Sequence, residues 1–365
     1  MKICINCFCD SEIRSRIKSY DSKGQCNICG CRGTYIYDTD TDEYLNGILD
    51  NIINLYVPVS SLEITPDAEN CVYIKNELVE NWNIFNKLSA TQVHTIIKAL
   101  SKDLYAETPE LIDAPVVNQL TTDSDYLKAN SLLKEFTWEQ FVEALKHENR
   151  FHTNYVDTNI LEIFCSFIRK SYKAGEKFYR GRISSEEGYD CDNMGPPPKD
   201  KITEGRANSA GIQRLYLASD KETTIHEIRA GAFDYITIGC FELKRDITVV
   251  DLKMINQISP VIEGLDVAQY YINREYLNKI NEEMGKALRR SDSPLDYVPT
   301  QYIADFIQSI THDGEHEYAG IEYRSTLYDR GYNLAIFDSS LFECVSTETI
   351  RITDLKYDYG TIYGK

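Results

Sequence analysis

The chain has 365 residues, of which 42% are hydrophobic, and a mean hydropathy of -0.38. That length exceeds one ordinary domain, so two or three are expected, each with a sizeable core. A formal net charge of -18 disfavours nucleic acid as a partner, because an acidic surface repels phosphate. Any site for an anion must therefore gather its arginines locally. No apolar run reaches the ~18 residues that cross a bilayer. The opening MKICINCFCD lacks the apolar core of a signal peptide. The expectation is a cytoplasmic protein with no membrane partner.

Of the 11 cysteines, six fall within the first 31 residues, a clustering that points to metal rather than disulfides. Cys4-x-x-Cys7 and Cys26-x-x-Cys29 form two knuckles separated by eighteen residues. Four soft thiolates at this spacing suit a tetrahedral Zn²⁺ site in a ribbon over residues 1–37. A closed four-Cys site supports folding rather than catalysis. Cys9 and Cys31, two residues beyond each knuckle, are substitute ligands or free thiols. A redox CxxC is the rival reading, and the matched pair of knuckles argues against it.

The polar run Asp38–Glu43 is read as a solvated linker or helix start, since it lacks the Gly and terminal Glu of a calcium loop. Helical periodicity then runs through Tyr44, Leu45, Ile48, Leu49, Ile52 and Ile53, and again through Val93, Ile96, Ile97, Leu100 and Leu104. Thr137-x-x-Gln140 reads as a capping box before Phe141, Val142 and Leu145. Ile160, Ile163, Phe164, Phe167 and Ile168 close this helical middle, which spans 38–172. These stripes are core packing.

From Lys177 the texture changes to short strands punctuated by Gly and Pro. FYRGR (178–182) is a strand carrying two arginines, and MGPPP (194–198) a rigid loop that is neither helix nor central strand. GRANSAGI (205–212) is a small-residue loop, and LYLAS (215–219) a strand. Ser219-x-x-Glu222 is expected to cap a helix running through His226, Glu227 and Arg229 to Gly231.

The ordered set FYRGR, MGPPP, GRAN-SAGI, LYLAS, TTIHEIR, GIEYRS and NLAIFD closely resembles the RES domain family, named for its Arg, Glu and Ser residues. The resemblance covers about residues 175–356. It implies an α+β chain ending, over 173–365, in a mixed α/β domain similar to ADP-ribosyltransferases. It further implies a toxin or defence effector that destroys NAD⁺ by hydrolysis or phosphorolysis, restrained by an antitoxin or regulatory partner. Carried over by motif, the family Arg is Arg180, the Glu is Glu227 and the Ser is Ser325. Arg206 and Tyr216 match further pocket positions, with Tyr179 beside Arg180. Gly181 stands where some members have an aromatic. An insertion over 253–319, including Glu282-Glu283 and Arg289-Arg290, is expected to be a lid or partner surface. A helical segment ahead of such a domain suggests a HEPN-like module. None of His94, His147 and His152 follows an Arg at ribonuclease spacing, so the module is read as a non-catalytic sensor or dimerisation unit.

The chemistry suits those residues independently. Cleaving ribose from nicotinamide builds positive charge on the sugar, which a carboxylate such as Glu227 stabilises more in the transition state than in the ground state. Guanidinium forks match pyrophosphate oxygens, the role expected of Arg180 and Arg206, with Arg182 or Arg324 assisting. Tyr216 offers a flat face for nicotinamide or a core aromatic. Ser325 is expected to orient substrate or the Glu, with Ser346 as a weaker alternative. His226 should point away from Glu227, since adjacent helix residues do not share a face. His312 and His316 are read as a solvated loop rather than metal ligands. Transfer of ADP-ribose to a macromolecule and non-catalytic sensing of NAD⁺ stay open beside NAD⁺ degradation, as does a homo-oligomer.

Overall fold

A computed structural model of the chain describes residues 1–63, 66–122, 124–287 and 293–356. Its contacts form two units, Met1–Ser131 with Ile258–Arg274, and Leu132–Gln257 with Glu275–Lys365.

In the first unit, strand β1 (Lys2–Cys4), helix α1 (Ser11–Ser19), β2 (Lys23–Gly24) and β3 (Thr34–Asp38) build a sheet of order β1-β3-β2. Asp10 caps α1 by accepting from Ile13 N at 2.9 Å, and the helix buries Ile13 and Ile17. The expected linker at Asp38–Glu43 is instead a turn, in which Asp42 N donates to Asp38 O at 3.0 Å. After it, the periodic stretch from Tyr44 is helical only over α2 (Asp50–Ile53). Gly47, at φ 71°, breaks the helix and donates its N–H to Leu100 O. The stripe still located buried side chains, since Leu45, Leu49, Ile52 and Ile53 are all at 0% exposure.

Next come β4 (Tyr56–Pro58), α3 (Ile74–Glu80), α4 (Ala90–Leu100), α5 (Lys102–Glu107), α6 (Glu110–Asp113), β5 (Val116–Asn118) and α7 (Ser124–Asn130). A capping box of Ser89 and Gln92 starts α4, whose Val93, Ile96, Ile97 and Leu100 are buried. Ser101 leaves helical geometry, so Leu104 falls on α5. The N-terminal segment is stitched to these elements: Phe8 lies 5.4 Å from Phe85, and Cys9 N donates to Ile84 O at 2.8 Å.

The second unit opens with α8 (Trp138–His147), where the Thr137–Gln140 capping box is present as read, and α9 (Thr158–Phe167). Along α9, Ile160 and Phe164 are buried, whereas Ile163 is 44% exposed. Both helices pack on elements of this unit described next, which places them with the large sheet. That sheet comprises β6 (Arg169–Tyr172), β7 (Lys177–Ser184), β8 (Leu215–Ala218), β9 (Tyr235–Leu243) and β10 (Ile247–Asp251). Helix α10 (Lys221–Glu227) follows β8; α11 (Val267–Gly285) and α12 (Val298–Ser309) follow β10. A small hairpin, β11 (Thr311–His312) with β12 (Glu315–His316), precedes β13 (Gly320–Arg324), β14 (Tyr332–Ile336) and β15 (Phe342–Arg351). The eight strands order as β15-β9-β7-β8-β14-β13-β10-β6. Every pairing is antiparallel except β10 with β13. The chain is therefore α+β, as the sequence implied.

Two local readings change. Asp220, not Ser219, caps α10, accepting from Thr223 N at 2.8 Å. Ser219 remains tied to β14, its N–H donating to Tyr332 O at 2.9 Å, and a carboxylate is a strong cap acceptor. The helix stops at Glu227 rather than continuing to Gly231, because Arg229 adopts φ 50°. The supposed loop around His312 and His316 is an exposed hairpin, turned by Asp313 and Gly314 at φ 53° and 83°.

One face of the sheet holds the core of Phe178, Leu215, Leu217, Phe241, Leu243 and Leu334, with Met194 of the MGPPP loop fully buried against it. Glu322 is also fully buried; Lys170 Nζ donates to it at 2.9 Å, and Lys253 and Tyr172 donate as well. Removing one partner of a buried ion pair strands the other charges. Glu322→Ala is therefore expected to cost about 3 kcal/mol of stability, read from a denaturant midpoint. An unchanged midpoint would contradict this account of the cluster.

Candidate functional site

Strand β7 pairs with β9 along its whole length but meets β8 only at Tyr179↔Ala218. Beyond that pair the two strands part. A cavity of about 960 Å³ opens there, lined by Tyr179, Arg180, Gly181, Arg206, Tyr216 and Glu227 among others. Tyr323 of β13 and Asn333 of β14 also line it, as do Pro294 and Tyr297 of the insertion.

Arg180 spans the parting. Its Nη1 donates at 3.1 Å to Tyr216 O, a carbonyl that β7 no longer pairs. The buried Nε takes no hydrogen bond among the described residues. Burial pulls this guanidinium down to about 10, and the neighbouring Arg182 charge adds to the effect. A desolvated cation with an unsatisfied donor favours an anionic occupant.

Helix α10 brings Glu227 to the same cavity. It can approach β7 because residue 181 is Gly: a Cβ there would lie 2.6 Å from Thr224 Cγ2 and 3.2 Å from Ile228 Cδ1. Glu227 Oε1 accepts from Ser325 Oγ at 2.5 Å and from Asn333 Nδ2 at 2.8 Å. Oε2 takes no hydrogen bond among the described residues. Ser325 Oγ accepts in turn from Tyr328 N at 3.1 Å, so its hydroxyl hydrogen is committed to the carboxylate. That geometry is one of orientation: the hydroxyl of Ser325 and the amide of Asn333 hold one carboxylate oxygen in place.

Tyr216 ties the GRAN loop to the sheet. Its hydroxyl donates to Asn208 Oδ1 at 2.6 Å and accepts from Ala207 N at 3.1 Å, and burial raises it to about 12. Arg206 lines the cavity, yet its fork is engaged. Nη1 donates to Glu283 O at 2.7 Å and Nη2 to Lys286 O, at the C-terminal end of α11. This is where a cation meets the negative end of a helix. Glu283 thus anchors Arg206 through its main chain, whereas Arg289 and Arg290 lie outside the described residues.

Two predicted arginines stand elsewhere. Arg182 donates to Asn193 O and lies 4.9 Å from the Tyr189 ring. Arg324 is exposed and does not line the cavity. His226 points away from Glu227, stacked on Tyr328 at 5.0 Å. Sequence reasoning missed Asn333, Tyr323 and Tyr297. Strand alternation offered a signal for Tyr323, two residues before Ser325 in GIEYRS. Asn333 opens the NLAIFD motif, opposite Tyr323 in the register. Tyr297, within the insertion, had no signal.

In the first unit, Cys4, Cys7, Cys26 and Cys29 place their sulfurs within 4.8 Å of one another. The contacts Cys4–Cys7, Cys4–Cys29 and Cys7–Cys26 measure 3.8, 3.4 and 3.6 Å. A tetrahedron with Zn–S bonds of about 2.3 Å has edges of roughly 3.8 Å, so these four thiols can hold such an ion. Cys9 is turned to Phe85 O, and Cys31 contributes its carbonyl to Cys26 N at 2.8 Å.

Because α10 packs so closely on residue 181, Gly181→Val should lower stability by about 1–3 kcal/mol through overpacking. A denaturant midpoint equal to that of the natural chain would show that α10 has room to spare.

Comparison with known families places these elements. Residues 181–358 match the RES domain, a match that opens one residue past Arg180, and residues 19–159 match HEPN/RES N-terminal domain 1. No curated protein matches the chain significantly, and no solved structure does. The chain is a RES-domain protein that carries a HEPN/RES N-terminal domain ahead of its RES domain.

Proposed function

We propose that this protein degrades NAD⁺, breaking the bond from ribose to nicotinamide and passing the ADP-ribosyl group to water or phosphate. One observation carries the reading: a carboxylate held at one oxygen, Glu227, shares a cavity with a partly unsatisfied guanidinium, Arg180. A volume of about 960 Å³ lies at the upper end of small-molecule pockets and suits a dinucleotide. The RES family's general association with NAD⁺-directed toxins points the same way.

The chemistry divides among residues already in place. As the glycosidic bond breaks, its electron pair leaves with nicotinamide and positive charge grows on the ribosyl ring. Glu227 Oε2, which takes no hydrogen bond among the described residues, stabilises that charge. Ser325 and Asn333 fix the carboxylate through Oε1, so no reorganisation accompanies the reaction. Arg180 binds the pyrophosphate, and Tyr179 and Tyr216 supply flat walls. Water or phosphate then forms the new bond at the same carbon, and an attacking water releases one proton to solvent. Arg182 and Arg324 have no part in this scheme.

The reading extends to the N-terminal region. Cys4, Cys7, Cys26 and Cys29 hold a structural Zn²⁺ in a ribbon over 1–37, followed by a helical regulatory domain. The sequence-based division at 172–173 shifts toward the N-terminus, since α8, α9 and β6 belong to the unit of the large sheet, which holds the catalytic domain. An unrestrained NAD⁺-degrading enzyme harms its own cell, so the N-terminal domains are assigned to restraint or docking of a regulatory partner. No helix among the described residues is long and apolar enough to cross a membrane.

Glu227→Gln is expected to slow nicotinamide release at least a hundredfold with an unchanged unfolding midpoint, while Arg180→Ala weakens NAD⁺ binding by tenfold or more. Turnover by Glu227→Gln at the natural rate contradicts the assignment. For the ribbon, metal analysis should find one zinc per chain, and Cys7→Ser should lose it and melt at lower temperature. A metal-free chain of equal stability contradicts the zinc reading.

A further inference from the structure

We infer that Tyr297, a residue of the insertion, is the specificity-determining platform for the distal base of the substrate, stacking the adenine of a dinucleotide at the end of the cavity away from Glu227. The inference rests on NAD⁺ as the substrate class, and it names which residue holds which half.

The register of the sheet gives the cavity two ends. Tyr179, Ala218, Asn333 and Tyr323 are neighbours in one row across β7, β8, β14 and β13. Glu227 reaches this row at Asn333 and continues to Ser325, two residues further along the chain. Two residues in the other direction lies the row Tyr216, Ala335 and Ile321, about 7 Å away. The second row is where the wall stands. Ala335 and Ile321 are fully buried, and the GRAN loop hangs from the Tyr216 hydroxyl. The reacting bond belongs beside Glu227, and Arg180, bonded to Tyr216 O, stands between the two ends. A pyrophosphate on Arg180 therefore directs the remaining nucleoside toward the wall.

What meets it there is Tyr297. The residue lines the cavity, half-buried, at the end of the turn Pro294–Tyr297. Its position is fixed from several sides. Ser293 caps the turn by accepting from Leu295 N at 3.2 Å, and Asp296 pairs with Lys146 at 2.6 Å. Thr300 Oγ1 reaches Tyr297 O at 2.9 Å and Arg206 O at 2.7 Å. Gln301 Nε2 donates to both Gly205 O and Asn208 O at 3.0 Å, locking the GRAN loop to α12. The Arg206 guanidinium lies 5.9 Å from the Tyr297 ring centroid while its fork holds the end of α11. Arg206 is thus a positioning residue for the wall, and the ring it steadies is a rigid aromatic surface of the kind on which bases stack.

The test uses the purified full chain with Tyr297→Leu, which keeps apolar bulk but loses the flat face, and Tyr297→Phe, which keeps the face. Four readouts are taken: binding of ADP by titration, KM and kcat for nicotinamide release from NAD⁺, the same constants for nicotinamide mononucleotide, and the proton chemical shifts of bound ADP. Tyr297→Leu should weaken ADP binding and raise KM for NAD⁺ about tenfold, the effect of losing one base stack. The constants for the mononucleotide should stay within about twofold, and Tyr297→Phe should match the natural chain throughout. Adenine protons of ADP bound to the natural chain should shift upfield, a stacking signature that needs no variant to fold. Unchanged ADP binding in Tyr297→Leu, equal losses for the mononucleotide, or unshifted adenine protons would each overturn the inference. Failure of the natural chain to release nicotinamide would instead overturn the activity, while the ADP titration still decides the role of Tyr297.

Discussion

The parting of β7 from β8 governs the rest of the site. One paired residue, Tyr179 with Ala218, joins the strands, and β7 then follows β9 alone. An antiparallel sheet normally satisfies its carbonyls across the ladder, and here Tyr216 O lacks its strand partner. Arg180 supplies the missing donor and is drawn into the gap, which leaves its Nε buried and without a hydrogen bond among the described residues. The same parting exposes Gly181, whose missing side chain admits α10 and delivers Glu227 to Asn333 and Ser325. A local fault in strand pairing thus assembles a buried cation and an oriented carboxylate in one place.

Such a site needs stiff surroundings, and the sheet provides them from its other side. Glu322 adjoins Tyr323 on β13 and faces away from the cavity, where Lys170, Lys253 and Tyr172 surround it. Tyr332, beside Asn333, receives Lys253 over its ring at 4.3 Å and is bonded through its main chain to Ser219. These contacts fix the strands that present Tyr323, Asn333 and Ser325. The insertion stiffens the opposite end, where α12 and the end of α11 grip the GRAN loop.

What the sequence made legible was local. FYRGR and LYLAS are strands because their apolar spacing and flanking turns say so within a few residues. The Thr137–Gln140 box caps α8 because both partners sit three positions apart. Where tertiary demands intervened, local signals misled. Gly47 bends away to bond Leu100 O and ends a helix that periodicity supported. Ser219 is held by β14, so the cap passes to Asp220. Glu227 and Ser325 were placed by motif, but their hydrogen bond joins residues 98 apart, and no local pattern reports it. Asn333 and Tyr297 were invisible for the same reason, since register and loop packing bring them to the cavity. Arg206 was found as a pocket residue, while its engagement with the end of α11 depends on an insertion whose position the motifs did not give.

The central claim is that the cavity between β7 and β8 breaks the bond from ribose to nicotinamide. It is tested most directly by incubating the purified natural chain with NAD⁺, with and without phosphate, and identifying every product by mass. The account predicts nicotinamide in equal amount to the NAD⁺ lost, with ADP-ribose or its phosphorylated counterpart as the other product. Intact NAD⁺ after prolonged incubation, or NAD⁺ cleaved at the pyrophosphate, would contradict it.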